Sequence, residues 1–488
     1  MGRVALIGEN SIGYINALVD IWNNGDCAVL LDWRIPFSAV IEMMIEADVH
    51  TCFIEKGLYN KIDREIPISF DFVTYEKQNN AAEILPNFIY KKFQENYSRN
   101  EAVVIYSSGT TGKSKGIILS HFAINTNADA IIDYMKPTIN DCIYIAKTLS
   151  HSSTLTGELL VALKTKIKLV VAPTIVPPRY VLNNVGVFGV TIVCLNPTLI
   201  SMLADEYEKS QYDISSLRTI YVSGSILNDK IYEKAHAVFS HVPIYNVYGL
   251  SEAGPRVTAQ RLDCSKSNSV GKPIKDIEIK VVNEQGSIVS DGEYGIIHVK
   301  TPSLFDGYVI GRNKLNSLYK GWHNTGDVGY FDIYGELHII NRLDDVIIIN
   351  SHKVYPSEIE RQIVEQTNVK ECVARLYKII CDHYEKRFKN TFSEDVEHCI
   401  RFILSRNIVC GNALDMKDYK GDPIRFSEWK NPSNGWINRK EYMFEDLMEK
   451  GDAALPISDN DIPYYIPKET KDFGNIDYRR VFEYAKQE

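Results

Sequence analysis

Long hydrophobic runs are missing from this sequence: no apolar stretch approaches the ~20 residues that a membrane-spanning helix requires. Residues 1–6 lack the apolar core of a signal peptide. Paired cysteines are missing too, because the nine cysteines are scattered singly with no Cys-x-x-Cys pair. This pattern predicts reduced core cysteines rather than disulfides or a zinc site. We therefore expect a cytoplasmic protein without a membrane span.

An excess of positive charge is also absent. The formal net charge is −9, which argues against non-specific nucleic-acid binding. With 45% hydrophobic and 24% charged residues, the composition is that of an ordinary globular protein. A chain of 488 residues exceeds what one hydrophobic core usually serves, so we expect two or more domains.

The pattern of apolar and polar residues changes along the chain. Short apolar strand-like runs alternate with helical patterns over roughly the first half, which predicts an α/β domain with parallel sheets. Turn-bounded strands predict a β-rich subdomain at about residues 268–340. We expect a large N-terminal domain over residues 1–341 and a smaller α+β C-terminal domain over residues 342–488, with a hinge at Asp344. Residues 76–100 are polar and predict a surface connection.

A loop rich in glycine, hydroxyl and lysine groups lies between two apolar strand candidates, residues 102–105 and 117–119. Glycines let backbone N–H groups approach a ligand, and successive N–H groups form a concave anion site. Hydroxyl and ammonium groups add donors and positive charge. This composition predicts that the loop holds a polyphosphate. Its residues are Tyr106, Ser107, Ser108, Gly109, Thr110, Thr111, Gly112, Lys113, Ser114, Lys115 and Gly116.

Three interpretations of this loop are open. Gly112-Lys113-Ser114 fits the end of a Walker A motif, but Ser107 stands where the leading glycine belongs, and a strand rather than a helix follows. A solvated Gly/Ser turn is the second interpretation. In the third, the run resembles the signature of the adenylate-forming superfamily, which includes acyl-CoA synthetases, luciferases and peptide-synthetase adenylation domains. Ser114, where that signature usually has proline, is the one departure.

Three further segments resemble motifs of the same superfamily, in the family's order. Each alone has a structural explanation, such as a buried tyrosine before a capped helix or a carboxylate pair in a loop. Four motifs in this order over residues 102–360 favour the family interpretation. The three segments are Asn246-Val247-Tyr248-Gly249-Leu250-Ser251-Glu252, Trp322-His323-Asn324-Thr325-Gly326-Asp327, and Asn341-Arg342-Leu343-Asp344-Asp345 with the following Val354-Tyr355-Pro356.

The resemblance implies a site for ATP and Mg²⁺. Tyr248 is implied to pack on adenine and Ser251 to contact the α-phosphate. Glu252 and Thr110 are implied to hold Mg²⁺. Asp327 is implied to accept both ribose hydroxyls, a task that suits a carboxylate with two acceptor oxygens.

The full set of implied site residues is larger. His151 occupies the place where the family often has a histidine lining the acyl pocket, and a structural histidine is the alternative. The residues implied to bind the nucleotide are Ser107, Ser108, Gly109, Thr110, Thr111, Gly112, Lys115, Gly224, Ser225, Asn246, Tyr248, Gly249, Ser251, Asp327 and Arg342. Those implied to be catalytic are Thr110, Glu252, Asn475, Lys468, Lys471 and His151.

The C-terminal motif departs from the family pattern. Asn475 stands where the family has a lysine that reaches the substrate carboxylate and the α-phosphate. A neutral amide carries no charge and is shorter than a lysine side chain. Lys468 and Lys471 are nearby candidates for the same role. Asn341 and Ser351 also replace usual glycines, the latter beside the usual pantetheine tunnel.

The resemblance implies an ATP-dependent, AMP-forming carboxylate ligase. Such an enzyme activates a small organic acid as an acyl-adenylate and transfers it to the thiol of CoA, to a carrier-protein phosphopantetheine, or to an amine. The mobile C-terminal domain is implied to rotate about Asp344 between the two half-reactions. Because of Asn475, an impaired nucleotide-binding homologue, or an enzyme that performs only the acyl transfer, is the alternative.

Overall fold

The structure is a computed structural model in which two compact units, Met1–Glu358 and Ile359–Glu488, are distinguished. Among the helices it describes, none combines the length and the hydropathy that a membrane span needs. The described residues are 2–61, 70–78, 81–107, 114–174, 177–260, 269–310, 318–319, 321–343, 347–349, 352–354, 411–412, 417–418, 425–433, 436–443 and 469–477.

The first unit alternates strands and helices over most of its length, as the sequence predicts. Its strands are β1 (Arg3–Ile7), β2 (Cys27–Leu31), β3 (Thr51–Glu55), β4 (Asp71–Tyr75), β5 (Glu83–Ile84), β6 (Glu101–Ser107), β7 (Lys115–Ser120), β8 (Cys142–Ile145), β9 (Lys168–Val171), β10 (Ile192–Leu195), β11 (Thr219–Val222), β12 (Ile244–Tyr248), β13 (Thr258–Ala259), β14 (Lys272–Pro273), β15 (Glu278–Val282), β16 (Gly295–Lys300), β17 (Gly307–Tyr308), β18 (Leu318–Tyr319), β19 (Trp322–Phe331), β20 (Leu337–Arg342), β21 (Ile347–Ile349) and β22 (His352–Val354).

Its helices are α1 (Ile12–Asn23), α2 (Phe37–Glu46), α3 (Lys56–Tyr59), α4 (Asn87–Lys92), α5 (His121–Met135), α6 (Ser152–Thr154), α7 (Val161–Thr165), α8 (Pro178–Phe188), α9 (Pro197–Lys209) and α10 (Asp229–Val238). A π-helical turn, Leu155–Leu160, joins α6 to α7, and a 3-10 turn covers Ser251–Ala253. Polar side chains cap the N-termini of several helices. The side chains of Ser11, Asn196 and Asn228 each accept a hydrogen bond from a backbone N–H of the first helical turn.

Two sheets organise the first unit. The first has the order β17-β7-β6-β2-β1-β3-β4, and β6, β2, β1, β3 and β4 run parallel. The second has the order β14-β13-β12-β11-β10-β8-β9-β5, and β8 to β12 run parallel. Strands of this kind are covered on both faces, which is why Cys27–Leu31 is apolar throughout and buried throughout. The predicted α/β class is confirmed.

Three clusters of buried side chains show how the layers pack. Alternate residues of a strand point to opposite faces of a sheet. Leu6 of the first sheet therefore packs in a central cluster with α1 and α5, whereas Ala5 packs on the other face with Met44 of α2. A third cluster fills the space between the second sheet and helices α8 to α10. The central helices thus lie between the two sheets.

The β-rich segment forms a sheet of its own. Its strand order is β15-β16-β19-β18, and β20 pairs with β19. All of these pairs are antiparallel. In this sheet Asp327 of β19 lies directly opposite Arg342 of β20. Cross-strand neighbours of this kind bring their side chains together, which matters for the site described below.

The expectation of a plain surface connection over residues 76–100 is wrong in part. This segment contains β5, which pairs antiparallel with β9 at the edge of the second sheet, and helix α4. Leu85 and Ile89 are buried in the central cluster. The polar composition of the segment hides these two anchoring positions, because one buried side chain per turn suffices to dock a short helix.

The described part of the second unit consists of strands. They are β23 (Gly411–Asn412), β24 (Lys417–Asp418), β25 (Arg425–Ser433), β26 (Trp436–Met443) and β27 (Glu469–Asp477). β25, β26 and β27 form an antiparallel sheet in that order. Ser433 of β25 pairs with Trp436 of β26.

Candidate active site

A cavity of about 620 Å³ lies where β11 and β12 end. In open parallel sheets, ligands bind outside the carboxyl ends of the strands, so this position suits a binding site. The cavity is lined by His151, Ser152, Ser153, Ser223, Gly224, Ser225, Ile226, Leu227, Asn246, Val247, Tyr248, Gly249, Leu250, Ser251, Glu252, Pro255, Arg256, Val270, Asp327, Ile339, Asn341 and Arg342.

Many of the residues predicted from the sequence meet in this cavity. They are His151, Gly224, Ser225, Asn246, Tyr248, Gly249, Ser251, Glu252, Asp327 and Arg342. A more open groove of about 610 Å³ is lined by Lys91, Lys166 and Lys168 with apolar neighbours, and contains none of the predicted site residues. The first cavity is therefore the candidate active site.

The remaining predicted residues lie elsewhere or outside the described residues. Ser108, Gly109, Thr110, Thr111 and Gly112 lie outside the described residues, as does Lys468. Ser107 ends β6 and Lys115 begins β7, so the strands on both sides of the predicted phosphate loop are in place. These strands pair antiparallel, with Ser107 opposite Lys115. A strand therefore follows the loop, as predicted, where a Walker A motif needs a helix.

Tyr248, Asp327 and Arg342 form one contact group in the cavity. The Tyr248 hydroxyl donates a hydrogen bond of 2.5 Å to Oδ2 of Asp327. Arg342 Nε lies 3.2 Å from Oδ1 of Asp327, and Arg342 Nη1 donates to the carbonyl oxygen of Thr325 at 3.0 Å. The two oxygens of a carboxylate accept about four hydrogen bonds in total. Asp327 thus keeps acceptor capacity for the hydroxyls of a ligand.

The protonation of this group follows from its burial. Asp327 is only 7% exposed. Burial raises the pKa of the Asp327 carboxyl above its ordinary value, against the opposing effects of Arg342 and the Tyr248 hydroxyl. Burial and the neighbouring Asp327 also raise the pKa of the Tyr248 phenol far above its ordinary value, so that the phenol stays a hydrogen-bond donor.

The side chain of Glu252 accepts a hydrogen bond from a tyrosine of β17, the strand that pairs with β7. The Tyr308 hydroxyl donates a hydrogen bond of 3.0 Å to Oε1 of Glu252. Tyr308 belongs to β17, which pairs with β7, and the Lys115 ammonium lies 5.8 Å from the centroid of its ring. The carboxylate of Glu252 and the start of β7 are therefore connected through one tyrosine, which the sequence motifs do not indicate.

The donor set fits magnesium. Mg²⁺ keeps several waters and is usually bound through one or two carboxylates together with substrate phosphates. Within the described ranges, no three His, Cys, Asp or Glu side chains are grouped so as to hold a metal ion. A single carboxylate such as Glu252 is compatible with magnesium bound together with the phosphates of a nucleotide.

Ser251 and His151 line the same part of the cavity wall. The Ser251 and Ser152 hydroxyls are 2.8 Å apart. His151 Nδ1 accepts a hydrogen bond of 3.3 Å from the backbone N–H of Ser153, so the imidazole caps α6. The residue is exposed at the cavity. Desolvation by the neighbouring protein, with the positive charge of Lys147, lowers the pKa of His151 to about 4. The ring is neutral at pH 7.

Two of the predicted site glycines occupy positions where a side chain would be sterically unfavourable. Gly224 has φ of 101°, a left-handed conformation that other residues rarely adopt. A Cβ on Gly249 would collide with the carbonyl oxygen of Pro255. Gly224 therefore permits a backbone conformation that is strained for other residues, and Gly249 permits close packing against Pro255.

Sequence reasoning missed several residues of the cavity wall. Arg256 is almost fully buried there, and the amide nitrogen of Asn341 has no hydrogen-bond partner among the described residues. The one sequence signal for Arg256 is an arginine in a segment of small and apolar residues that follows the Tyr248–Glu252 motif. Asn341 was noted only as a replacement for glycine.

Asn475 and Lys471 lie on β27 of the second unit. In the register of that sheet, Asn475 is opposite Asn438 and Lys471 is opposite Glu441. The register shifts between these two positions.

The fold and the cavity define a nucleotide-binding α/β enzyme, and comparison with known families agrees. The model of the family described as AMP-binding enzyme matches residues 2–309. The chain belongs to this family.

Relatives and solved structures are similar over most of the chain. It is 26% identical to a 2-succinylbenzoate–CoA ligase from Enterococcus faecalis, over 75% of this chain and 74% of that protein. It is 27% identical to a 4-coumarate–CoA ligase from Humulus lupulus, over 54% of this chain and 50% of that protein. The ATP-bound structure of MatB from Rhodopseudomonas palustris has a TM-score of 0.66 at 22% identity, over 75% of this chain and 73% of that one.

A second solved structure has the same fold. O-succinylbenzoate coenzyme A synthetase from Bacillus subtilis, in complex with ATP and magnesium, has a TM-score of 0.63 at 22% identity. The match covers 75% of this chain and 74% of that one. At this level of identity the likeness concerns the fold.

Proposed function

We propose that this protein is an ATP-dependent, AMP-forming ligase that joins a carboxylic acid to the thiol of CoA. The observation that carries the proposal is the meeting of Tyr248, Glu252 and Asp327 in one cavity at the ends of parallel strands. Membership of the AMP-binding enzyme family supports it. The acid–CoA ligase activities named for the relatives from Enterococcus faecalis and Humulus lupulus support it further.

The contacts around Asp327 suit the nucleoside half of ATP. We assign the ribose hydroxyls to the Asp327 carboxylate, whose two oxygens are fixed by Tyr248 and Arg342 but keep acceptor capacity. The ring of Tyr248 is assigned to the face of adenine, because a purine gains roughly 1–3 kcal/mol by stacking on an aromatic side chain. Gly224 and Ser225 line the cavity beside it.

The contacts around Glu252 suit the triphosphate half. We assign the phosphates to the loop at residues 107–112 and to Lys115, the α-phosphate to Ser251, and Mg²⁺ to Glu252 with Thr110. The Tyr308 hydroxyl fixes one oxygen of Glu252 and so orients the carboxylate toward the metal. The bound magnesium would offset the negative charge of the phosphates.

In the proposed reaction, a carboxylate oxygen of the acid attacks the α-phosphorus of ATP. The new phosphorus–oxygen bond gives the acyl-adenylate, and the bond to the bridging oxygen breaks to release pyrophosphate. The thiol of CoA then attacks the acyl carbon and releases AMP. The chain's contribution is to hold the two reactants in line and to place positive charge and hydrogen-bond donors around the phosphates. A carrier-protein thiol and an amine are the alternative acceptors. The proposal includes a rotation of residues 342–488 about Asp344 between the two half-reactions.

ATP–pyrophosphate exchange against a panel of carboxylic acids tests this proposal. Exchange of labelled pyrophosphate into ATP requires reversible formation of the acyl-adenylate, and it needs no acceptor. We expect exchange with at least one acid and none without acid. Absence of exchange with every acid, in a protein that binds ATP, would leave only the acyl-transfer or the nucleotide-binding alternative.

Replacement of Asn475 by lysine is expected to raise the exchange rate by about 10-fold or more. An ammonium at this position would offset developing charge at the α-phosphate, an effect typically worth about 10²–10³ in rate when it is removed. Asn475→Gln is the matched control, because it lengthens the side chain without adding charge. An unchanged rate in Asn475→Lys would show that another residue, such as Lys468 or Lys471, performs the role.

A further inference from the structure

A buried arginine, a buried carboxylate and a half-buried lysine lie beside the cavity. Lys147 Nζ lies 3.2 Å from Oε1 of Glu158, which belongs to the π-helical turn and is 0% exposed. Lys147 Nζ also lies 3.5 Å from the Ser153 hydroxyl in the cavity wall. Arg256, the second cation, belongs to the same wall. None of the roles assigned above uses this cluster.

The guanidinium of Arg256 is buried with its two terminal nitrogens unpartnered in the described part of the chain, and the Cys194 thiol is a hydrogen-bonding neighbour of the group. The residue is 2% exposed, and neither Nη1 nor Nη2 has a hydrogen-bond partner among the described residues. Its backbone is fixed, because the amide N–H donates to Asn127 Oδ1 at 3.1 Å and the carbonyl accepts from Asn127 Nδ2 at 2.8 Å. A buried guanidinium with unsatisfied donors is costly, so the two terminal nitrogens of Arg256 favour an anionic acceptor.

Gly157 makes room for this side chain. A Cβ at position 157 would lie 2.9 Å from Nη2 of Arg256, closer than real contacts of this kind. The neighbouring residue is Glu158, so the π-helical turn presents a bare backbone to the guanidinium and a carboxylate to Lys147. The local sequence therefore accommodates the buried cation without neutralising it fully.

The charges of the cluster do not balance at neutral pH. Burial raises the pKa of the Glu158 carboxyl to about 7, although Lys147 and Arg256 oppose the rise, so this acid is only partly ionised at pH 7. Burial also raises the pKa of the neighbouring Cys194 thiol to about 12 and that of the Tyr221 phenol still further, so neither supplies negative charge. Two cations thus face a single carboxylate whose ionised form is disfavoured by burial.

We propose that the acid taken by this cavity carries a second carboxylate, and that Arg256 binds it, with Lys147 adding positive charge. The substrate class is a dicarboxylic acid, of which one carboxylate is activated and the other is held by the guanidinium. The proposal rests on the ligase function proposed above. A guanidinium binds a carboxylate through two parallel hydrogen bonds, which gives orientation as well as affinity. An amine on the acid would instead meet the excess positive charge of Lys147 and Arg256.

Calorimetric titration of acids into the full chain tests the proposal without requiring catalysis. The probes are aliphatic and aromatic dicarboxylic acids of graded length, each beside its monomethyl ester, which removes one charge. We expect the tightest dicarboxylic acid to bind about 10- to 100-fold more tightly than its half-ester, the range for hydrogen bonds to a charged group. Arg256→Met is expected to abolish this preference, and Arg256→Lys to keep part of it.

Equal binding of a dicarboxylic acid and its half-ester by the natural chain would overturn the proposal. So would an unchanged preference in Arg256→Met, or no binding of any dicarboxylic acid. The thermal midpoint of Arg256→Met is the control for folding of the variant. If Arg256→Met fails to fold, the preference for the dicarboxylic acid over its half-ester is measured in Lys147→Met and Arg256→Lys instead.

The two proposals fail in distinguishable ways. Nucleotide binding together with exchange that only monocarboxylic acids support would preserve the ligase proposal and overturn the dicarboxylic one. Absence of any nucleotide binding would overturn the ligase proposal, while the acid titrations would still report on Arg256.

Discussion

Glu252→Gln is expected to lower the rate of ATP–pyrophosphate exchange by about 10²- to 10³-fold, the usual effect of removing one group that stabilises transition-state charge. Glutamine keeps the shape and can accept the hydrogen bond from the Tyr308 hydroxyl, so the wall of the cavity is preserved. It loses the negative charge that Mg²⁺ requires. The measurement is the exchange rate as a function of magnesium concentration.

Two comparisons make this result specific to the metal. AMP binding without magnesium should stay within a few-fold of that of the natural chain. Tyr308→Phe removes the hydrogen bond to Oε1 of Glu252 but keeps the carboxylate, so it should shift the magnesium dependence much less. Full exchange activity in Glu252→Gln at the same magnesium concentration would rule out the assigned metal ligand.

Asp327→Ala is expected to weaken AMP binding by about 10²-fold. Each hydrogen bond between a ribose hydroxyl and a carboxylate is worth roughly 1.5–3 kcal/mol, and the variant removes both. The loss also leaves Arg342 without its 3.2 Å ion pair, but that side chain is 47% exposed and can be hydrated. Calorimetric titration of AMP gives the dissociation constant directly.

The matched ligand for this variant is 2′,3′-dideoxy-AMP, which lacks both hydroxyls. The natural chain should prefer AMP over the dideoxy nucleotide by about the same 10²-fold. Asp327→Ala should bind the two nucleotides equally weakly. A variant that loses affinity yet still prefers AMP would place the ribose hydroxyls on another group.

Those parts of the site that are encoded in short motifs could be predicted from the sequence. Tyr248 ends strand β12 and Glu252 lies in the 3-10 turn that follows it, so their common location follows from local structure. Asp327 and Arg342 were each found through a motif, and their pairing across β19 and β20 follows from strand register. Turn residues such as Gly249 are conspicuous because the backbone there excludes a side chain.

Contacts between distant segments could not be predicted in the same way. The hydrogen bond from Tyr308 to Glu252 depends on the pairing of β17 with β7, and nothing in the local sequence encodes that pairing. Arg256 and Glu158 are charged residues that a sequence pattern assigns to the surface, because burial of a charge is the exception. Helix α4 was missed because its two buried anchors stand in a polar segment.

The most direct test of the central claim is a calorimetric titration of ATP and magnesium into the natural chain, with AMP as competitor. If residues from separate motifs form one nucleotide site, the titration will give one ATP per chain and AMP will displace it. Asp327→Ala will then weaken the binding of ATP and of AMP to a similar extent. Absence of any binding heat, or binding that Asp327→Ala leaves unchanged, would contradict the account.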